Sequence, residues 1–268
     1  MKPDFRDVID WSQPWLVPFR NGAEAMLAAP DWRVAASAQG TILALKNYRE
    51  MPIRFVPQET LPAGIAYETF IGTTGQVPSR DNLHDFFNAL VWLHFPLTKV
   101  GLNALQATEL KSAAAVGNGC RGKIRDAATI FDENAAIFVA RDPALVTALR
   151  THNWSELFVN QRFGFCQEWE VWLFGHALLE KLVMPYKAIT AHTWTLLADA
   201  EYFRLSGEAK RRWLDLKVSN ALAQGLVMTM LTPLPVAGLP GWWGGQDAEF
   251  YADITVFRPF QQRFKRKK

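Results

Sequence analysis

Cysteine is scarce in this chain: Cys120 and Cys166 stand far apart, and neither belongs to a Cys-x-x-Cys pair. A disulfide framework and cysteine-based zinc binding are therefore poorly supported, and a reducing cytoplasm fits best. Net charge is also low, +3 over 268 residues, too little to imply a nucleic-acid partner for the chain as a whole. Much of the excess gathers in Arg263-Phe-Lys-Arg-Lys-Lys268, a basic run that reads as a solvated tail unless the folded body helps it reach phosphates. The opening Met-Lys-Pro-Asp-Phe-Arg-Asp puts acids where a cleaved leader needs an unbroken apolar run, so export is not expected. Long apolar runs are missing as well. Val218 to Gln246 carries no charge, yet Pro233, Pro235 and Pro240 interrupt it. No stretch of roughly 18 residues is left that could satisfy its own backbone across a bilayer. A Gly-rich phosphate loop, a Gly-x-Ser-x-Gly element, a Cys/His nucleophile pair and internal repeats are all absent.

What is plentiful is aromatic surface. Eleven Trp and 18 Phe supply the area for a full core, which reads as one globular domain over 1–262 followed by the basic tail 263–268. Pro3, Pro14, Pro18, Pro30, Pro52, Pro57 and Pro62 make residues 1–62 a Pro-rich N-terminal cap within that domain. It holds a short helix at Gly22 to Ala29 and an extended piece at Ile53 to Val56. Leu83 to Phe95 reads as a helix capped by Asp81 or Asn82 and ended by Pro96, after which Thr98 caps a second helix. Ala128 to Val139 carries two β-prone runs around Asp132-Glu133-Asn134, the pattern of a short hairpin. Asp142-Pro143 opens a short helix, and helical spacing predicts longer ones over 163–184, 187–203 and 208–231. The fold expected is mainly α, a compact helical domain with a short β-hairpin near 128–139, and α+β only at the margin.

Ionisable groups sit on the bodies of two of these apolar helices. His84, Asn88, Val91 and Phe95 share one helical face, with Asp81, Asp85 and Trp92 beside it. His176-Ala-Leu-Leu-Glu180 sets an imidazole and a carboxylate at i and i+4, a spacing that can offer two ligands to one metal but also arises by chance. His192 opens the next predicted helix. If the helices pack together, His84, His176, Glu180 and His192 form a nitrogen and oxygen set suited to zinc, manganese or iron. Without metal the same groups can act as general acid and base, and a third reading is a buried polar network that fixes helix register. Glu133 is the candidate general base and Asp85 a further acid/base group, while Lys99, Arg125 and Lys187 are candidates for holding an anionic group. His94 and His152 lack acidic neighbours and read as structural.

Ala66-Tyr67-Glu68, the run from Gly75 to Trp92, Phe95-Pro-Leu-Thr98-Lys99 and Leu102-Asn103-Ala-Leu-Gln106 form a distinctive series. Phe131-Asp132-Glu133-Asn134, Phe174-Gly-His176-Ala-Leu-Leu-Glu180-Lys, Pro185-Tyr-Lys187-Ala-Ile-Thr-Ala-His192 and Leu239-Pro-Gly-Trp242-Trp243 continue it. Together they resemble the uncharacterised bacterial family known as domain of unknown function 3025, over nearly the whole chain. The resemblance implies no established activity, cofactor or catalytic residue, but its motifs contain the His, Asp, Glu and Lys residues already singled out, which favours one shared site. The function expected is hydrolysis of an anionic small molecule assisted by a divalent metal. The competing expectation is a non-enzymatic module that binds nucleic acid or protein through its aromatic surface and basic tail, or through an exposed Trp242-Trp243 anchor.

Overall fold

Helices α1 (Arg20–Ala28) and α2 (Trp32–Ile42) lead the chain, the second capped by Asp31, whose carboxylate accepts from Arg33 N at 2.9 Å. The computed structural model describes residues 4–116 and 122–260; the basic tail from 263 and Arg121 lie outside the described residues. Strand β1 (Arg54–Pro57), helix α3 (Tyr67–Thr74) and strand β2 (Gln76–Ser79) follow, the two strands pairing in parallel. Gly75 ends α3 at φ 72°, where a Cβ would come within 2.3 Å of Pro52 O, so only glycine makes this turn.

Helix α4 (Leu83–His94) begins at Asn82, whose side chain accepts from Asp85 N at 2.8 Å, and everything from Asp85 to Leu93 is buried. A helix buried on all sides belongs at the centre of the packing. Helix α5 (Pro96–Val116) turns back directly from it, and α6 (Lys123–Asn134) leads without a loop into β3 (Ala135–Ala140). Next come α7 (Pro143–Arg150), β4 (Trp169–Leu173), α8 (His176–Lys181) and β5 (Thr190–Leu197). The described chain closes with α9 (Ala200–Arg204), α10 (Gly207–Leu222), β6 (Leu231–Pro235) and α11 (Ala248–Ala252). A four-stranded sheet runs in the order β4-β3-β5-β6, with β3 and β5 parallel and both outer pairs antiparallel.

This mixed sheet overturns the mainly α expectation: the fold is α+β. No hairpin occupies 128–139. Residues up to Asn134 are helical, with Ala127, Ala128 and Phe131 buried on one face, and Ala135–Ala140 is a central strand buried at all six positions. A continuous apolar run fits such a strand as well as it fits a helix or half a hairpin, and its partners are the distant strands that hold Trp169–Leu173 and His192–Leu197. The single helix expected over 163–184 is instead strand β4, a break at Phe174-Gly175 and the short α8. The helix expected over 187–203 is mostly β5, whose Thr190, Thr193 and Thr195 are strand formers. The helix expected over 208–231 stops at Leu222, and Pro233 and Pro235 lie on the edge strand β6, where a missing N–H is tolerated. Among the described residues no helix is long and apolar enough to cross a membrane.

Candidate functional site

A cleft of about 420 Å³ opens where α3, α4, α5, α6 and α8 meet. Each contributes polar side chains from a position that its own local structure fixes. The Asn82 cap starts α4 so that His84 and Asn88 fall one turn apart on one face. Asp85, next to His84, accepts from Arg80 N at 2.6 Å and from the Arg80 guanidinium at 3.0 and 3.2 Å. That carboxylate organises the helix entry. On α5, Lys99, Asn103 and Gln106 lie at i, i+4 and i+7, one stripe of buried polar groups on an apolar helix. Asp132 and Glu133 occupy the last turn of α6, and His176 is the first residue of α8. The approach of α8 to α6 depends on Gly175: its N donates to Ala135 O at 2.8 Å, and a Cβ there would stand 2.4 Å from Glu133 O.

The imidazoles form a chain. His84 Nδ1 lies 2.8 Å from Glu180 Oε2, and His84 Nε2 lies 3.0 Å from His176 Nε2, with the rings nearly perpendicular. An ionised Glu180 requires a proton on His84 Nδ1, so in the neutral pair His84 Nε2 accepts and His176 Nε2 donates. His176 Nδ1 is then a bare lone pair. It is buried, no described residue meets it in hydrogen-bond geometry, and it stands 3.9 Å from Asp132 Oδ2, with the Asp132 backbone carbonyl also near enough to favour a proton on the ring. The other Asp132 oxygen accepts from Lys99 Nζ at 2.5 Å, and Lys99 also donates to Asn88 Oδ1 at 2.9 Å beneath the Trp92 ring. Asn88 in turn donates to Tyr67 OH at 3.1 Å.

Burial drives His176 down to about 4, against the upward pull of Asp132, so the ring is neutral at pH 7. Burial pushes the Asp132 carboxyl up, but Lys99 and then His176 outweigh it and hold it below the ordinary carboxylate value. Glu68, on the far wall, is raised by burial and by the negative charge of Asp132. Burial raises the Tyr67 phenol well above its usual value.

Among the residues predicted from the sequence, the fold brings His84, Asp85, Glu133 and His176 to the cleft, and Glu180 reaches His84 from behind. Lys99 is nearby but spent: its ammonium is buried on Asp132 and Asn88 and holds a carboxylate in place, so it is not offered to an anion. Lys187 lies elsewhere, paired with Asp253 at 2.7 Å over the Phe250 ring. His192 sits on β5 in register with Ala135 and does not line the cleft; burial and Lys181 lower its pKa. The expected metal donor set is not assembled. Among the described residues no three His, Cys, Asp or Glu side chains group as ligands. The two Nε2 atoms that could face an ion are bonded to each other, with Glu180 and Asp132 at the opposite nitrogens. Trp242 is no exposed anchor either: it packs half-buried against Trp15, ring centroids 5.7 Å apart.

Sequence reasoning missed Tyr67, Glu68 and Gln106 as lining residues and took Asp132 for turn chemistry. The polar stripe on α5 was the available signal for Gln106; Tyr67 and Glu68 were marked only by their place in the family series, as Ala66-Tyr67-Glu68. The sequence model of the family described as protein of unknown function (DUF3025) matches residues 53–261, a span holding every residue that lines the cleft, and the chain belongs to that family. No curated protein and no solved structure matches it.

Proposed function

We propose that this DUF3025 family member is a hydrolase whose general base is His176, working through a proton relay to His84 and Glu180. One observation carries the reading: a three-membered hydrogen-bonded chain ends in a buried, unpartnered imidazole nitrogen beside a clamped carboxylate and a cleft. A water in the cleft gives one proton to His176 Nδ1 while its oxygen attacks the electrophilic carbon or phosphorus of the substrate. Asp132 Oδ2 accepts from the other hydrogen and aims the oxygen lone pair.

A cation on His176 is disfavoured by the same burial that keeps the ring neutral, so the proton on Nε2 moves to His84 Nε2 as Nδ1 takes up the new one. The positive charge then rests on His84, which is about a third exposed and faces the Glu180 carboxylate. Reversal of the relay returns the proton to the leaving group, and the two residues are ready for the next cycle. The donor geometry does not fit a divalent ion, and no step is routed through one.

Purified protein assayed against chromogenic carboxyl, amide and phosphate esters tests the proposal. Turnover should fall by about 10²- to 10⁴-fold in His176→Ala and in His84→Ala. The double variant should be no slower than the worse single one, because the two rings act as a unit. Undiminished turnover in His176→Ala, or losses that multiply in the double variant, would refute it.

A further inference from the structure

Three groups of the cleft keep unspent acceptors beside one another in sequence or space: Glu133, Asp132 Oδ2 and His176 Nδ1. Among the described residues one guanidinium lines the cleft, that of Arg80, which gives two of its N–H groups to Asp85, and the Lys99 ammonium is engaged with Asn88 and Asp132. Asn88 Nδ2 serves Tyr67, and Asn103 Nδ2 serves the Glu68 carboxylate at 2.6 Å and the Glu68 carbonyl at 3.0 Å. Acceptors remain. The Glu133 carboxylate makes no hydrogen bond or ion pair with described residues, and Asp132 Oδ2 accepts none. His176, only 5% exposed, brings its orphaned Nδ1 to the same cleft. Donors remain as well, on Tyr67 OH, Gln58, Gln106, the second N–H of Asn88 Nδ2 and the Arg80 guanidinium N–H groups not given to Asp85.

Charge points the same way. Among the described residues four carboxylates, on Glu68, Asp85, Asp132 and Glu133, line the cleft; Arg80 offsets Asp85, Lys99 offsets Asp132 and Arg125 acts on Glu68, which leaves Glu133 without a cation of its own. The Asp132 charge already weighs on Glu68, a crowding that an incoming cation relieves and an incoming anion worsens. We propose that the cleft takes a substrate bearing a cationic nitrogen group, a primary ammonium or a guanidinium, in place of the anion that the sequence pattern suggested. The cation's N–H groups meet Glu133 and Asp132, and the bond to be hydrolysed lies at His176. This inference rests on the hydrolytic reading only for where the reacting bond sits.

Calorimetric titration of the full chain at low salt with 1,4-diaminobutane, 1,4-butanediol and inorganic phosphate tests it. The diamine should bind, and the diol and phosphate should bind at least tenfold more weakly, a comparison that needs no variant. Glu133→Gln should weaken the diamine about tenfold, while Glu201→Gln on the exposed face of α9 leaves it unchanged. Tighter binding of phosphate, binding of none of the probes, or a diamine affinity indifferent to Glu133→Gln would overturn the proposal. Because the titration reads binding alone, diamine binding without any ester turnover would sink the hydrolase reading and leave this one standing. Turnover of an anionic ester without amine binding would do the reverse.

Discussion

Two buried polar clusters in this molecule are built from similar residues and end differently. Around Glu170 each polar side-chain atom has a partner: Tyr202 OH donates to Oε1 at 2.6 Å, Trp172 Nε1 to the same oxygen at 2.7 Å, and Lys210 Nζ to Oε2 at 2.7 Å. Lys210 also lies over the Tyr202 and Phe203 rings. Around Asp132 the same clamp of carboxylate and lysine exists, but among the described residues its second oxygen, the His176 Nδ1 3.9 Å away and the neighbouring Glu133 make no hydrogen bond. A closed network stabilises one packing of α10 against β4; an open one leaves polar atoms with unused bonding capacity beside a cleft. The difference lies in completion, since both clusters are buried and both hold an ion pair.

The largest effect should come from opening the closed cluster. Lys210→Met strands the Glu170 charge and should cost about 3–5 kcal/mol in urea denaturation; a loss below about 1 kcal/mol would erase the contrast drawn here. Acid should weigh on the open cluster. The folded-state pKa of His176, about 4, lies below its ordinary value of 6.5, so the unfolded chain binds the proton more readily. Its contribution is fully present above pH 6.5 and is lost as pH falls toward 4, roughly 3 kcal/mol in all. His94, lowered by burial to about 3, and His192 titrate in the same direction. The difference between wild type and His176→Gln therefore isolates the cleft, and pH curves that stay parallel over this range would contradict the buried neutral ring.

A third change sharpens the comparison by moving the open cluster without touching its members. Gly175→Ala forces a methyl against the backbone at Glu133 and should cost about 2 kcal/mol. It should lower turnover further than the stability loss explains, because α8 carries His176. Unchanged turnover would mean that the spacing of α6 and α8 does not matter. The smallest stability effect belongs to Glu180→Gln. The His84–Glu180 pair is more than a third exposed on the Glu180 side, so thermal unfolding should shift by less than about 1 kcal/mol. Turnover should nevertheless drop at least tenfold if Glu180 supports a cation on His84.

Much of the site was legible, and most of its setting was not. His84, Asn88 and Asp85 were visible because an apolar helix with ionisable groups on its body departs from the usual polar-outside pattern, while the choice between Asp81 and Asn82 as its cap was left to the structure, which has Asn82. His176 and Glu180 were visible by spacing, although the helix supposed to carry them was too long by a strand and a break. Asp132 was hidden because Asp-Glu-Asn between two β-prone runs is also how a turn is written, and helical and hairpin readings of Ala128 to Val139 differ by non-local pairing that short-range periodicity does not contain. Lys187 and His192 were misplaced for the same reason: what was read as a helix beside the cleft is β5, which carries His192 along the sheet.

Composition, the lone cysteines, the proline interruptions and the buried helix α4 with its cap follow from residues within a turn or two of each other, where sterics and local hydrogen bonds decide. Which polar groups meet was settled elsewhere. The parallel pairing of β3 with β5, the glycine-sized gap between α6 and α8, and the reach of Lys99 to Asp132 join segments far apart along the chain. Burial then fixed which of their hydrogen bonds close, and which, like that of His176 Nδ1, stay open.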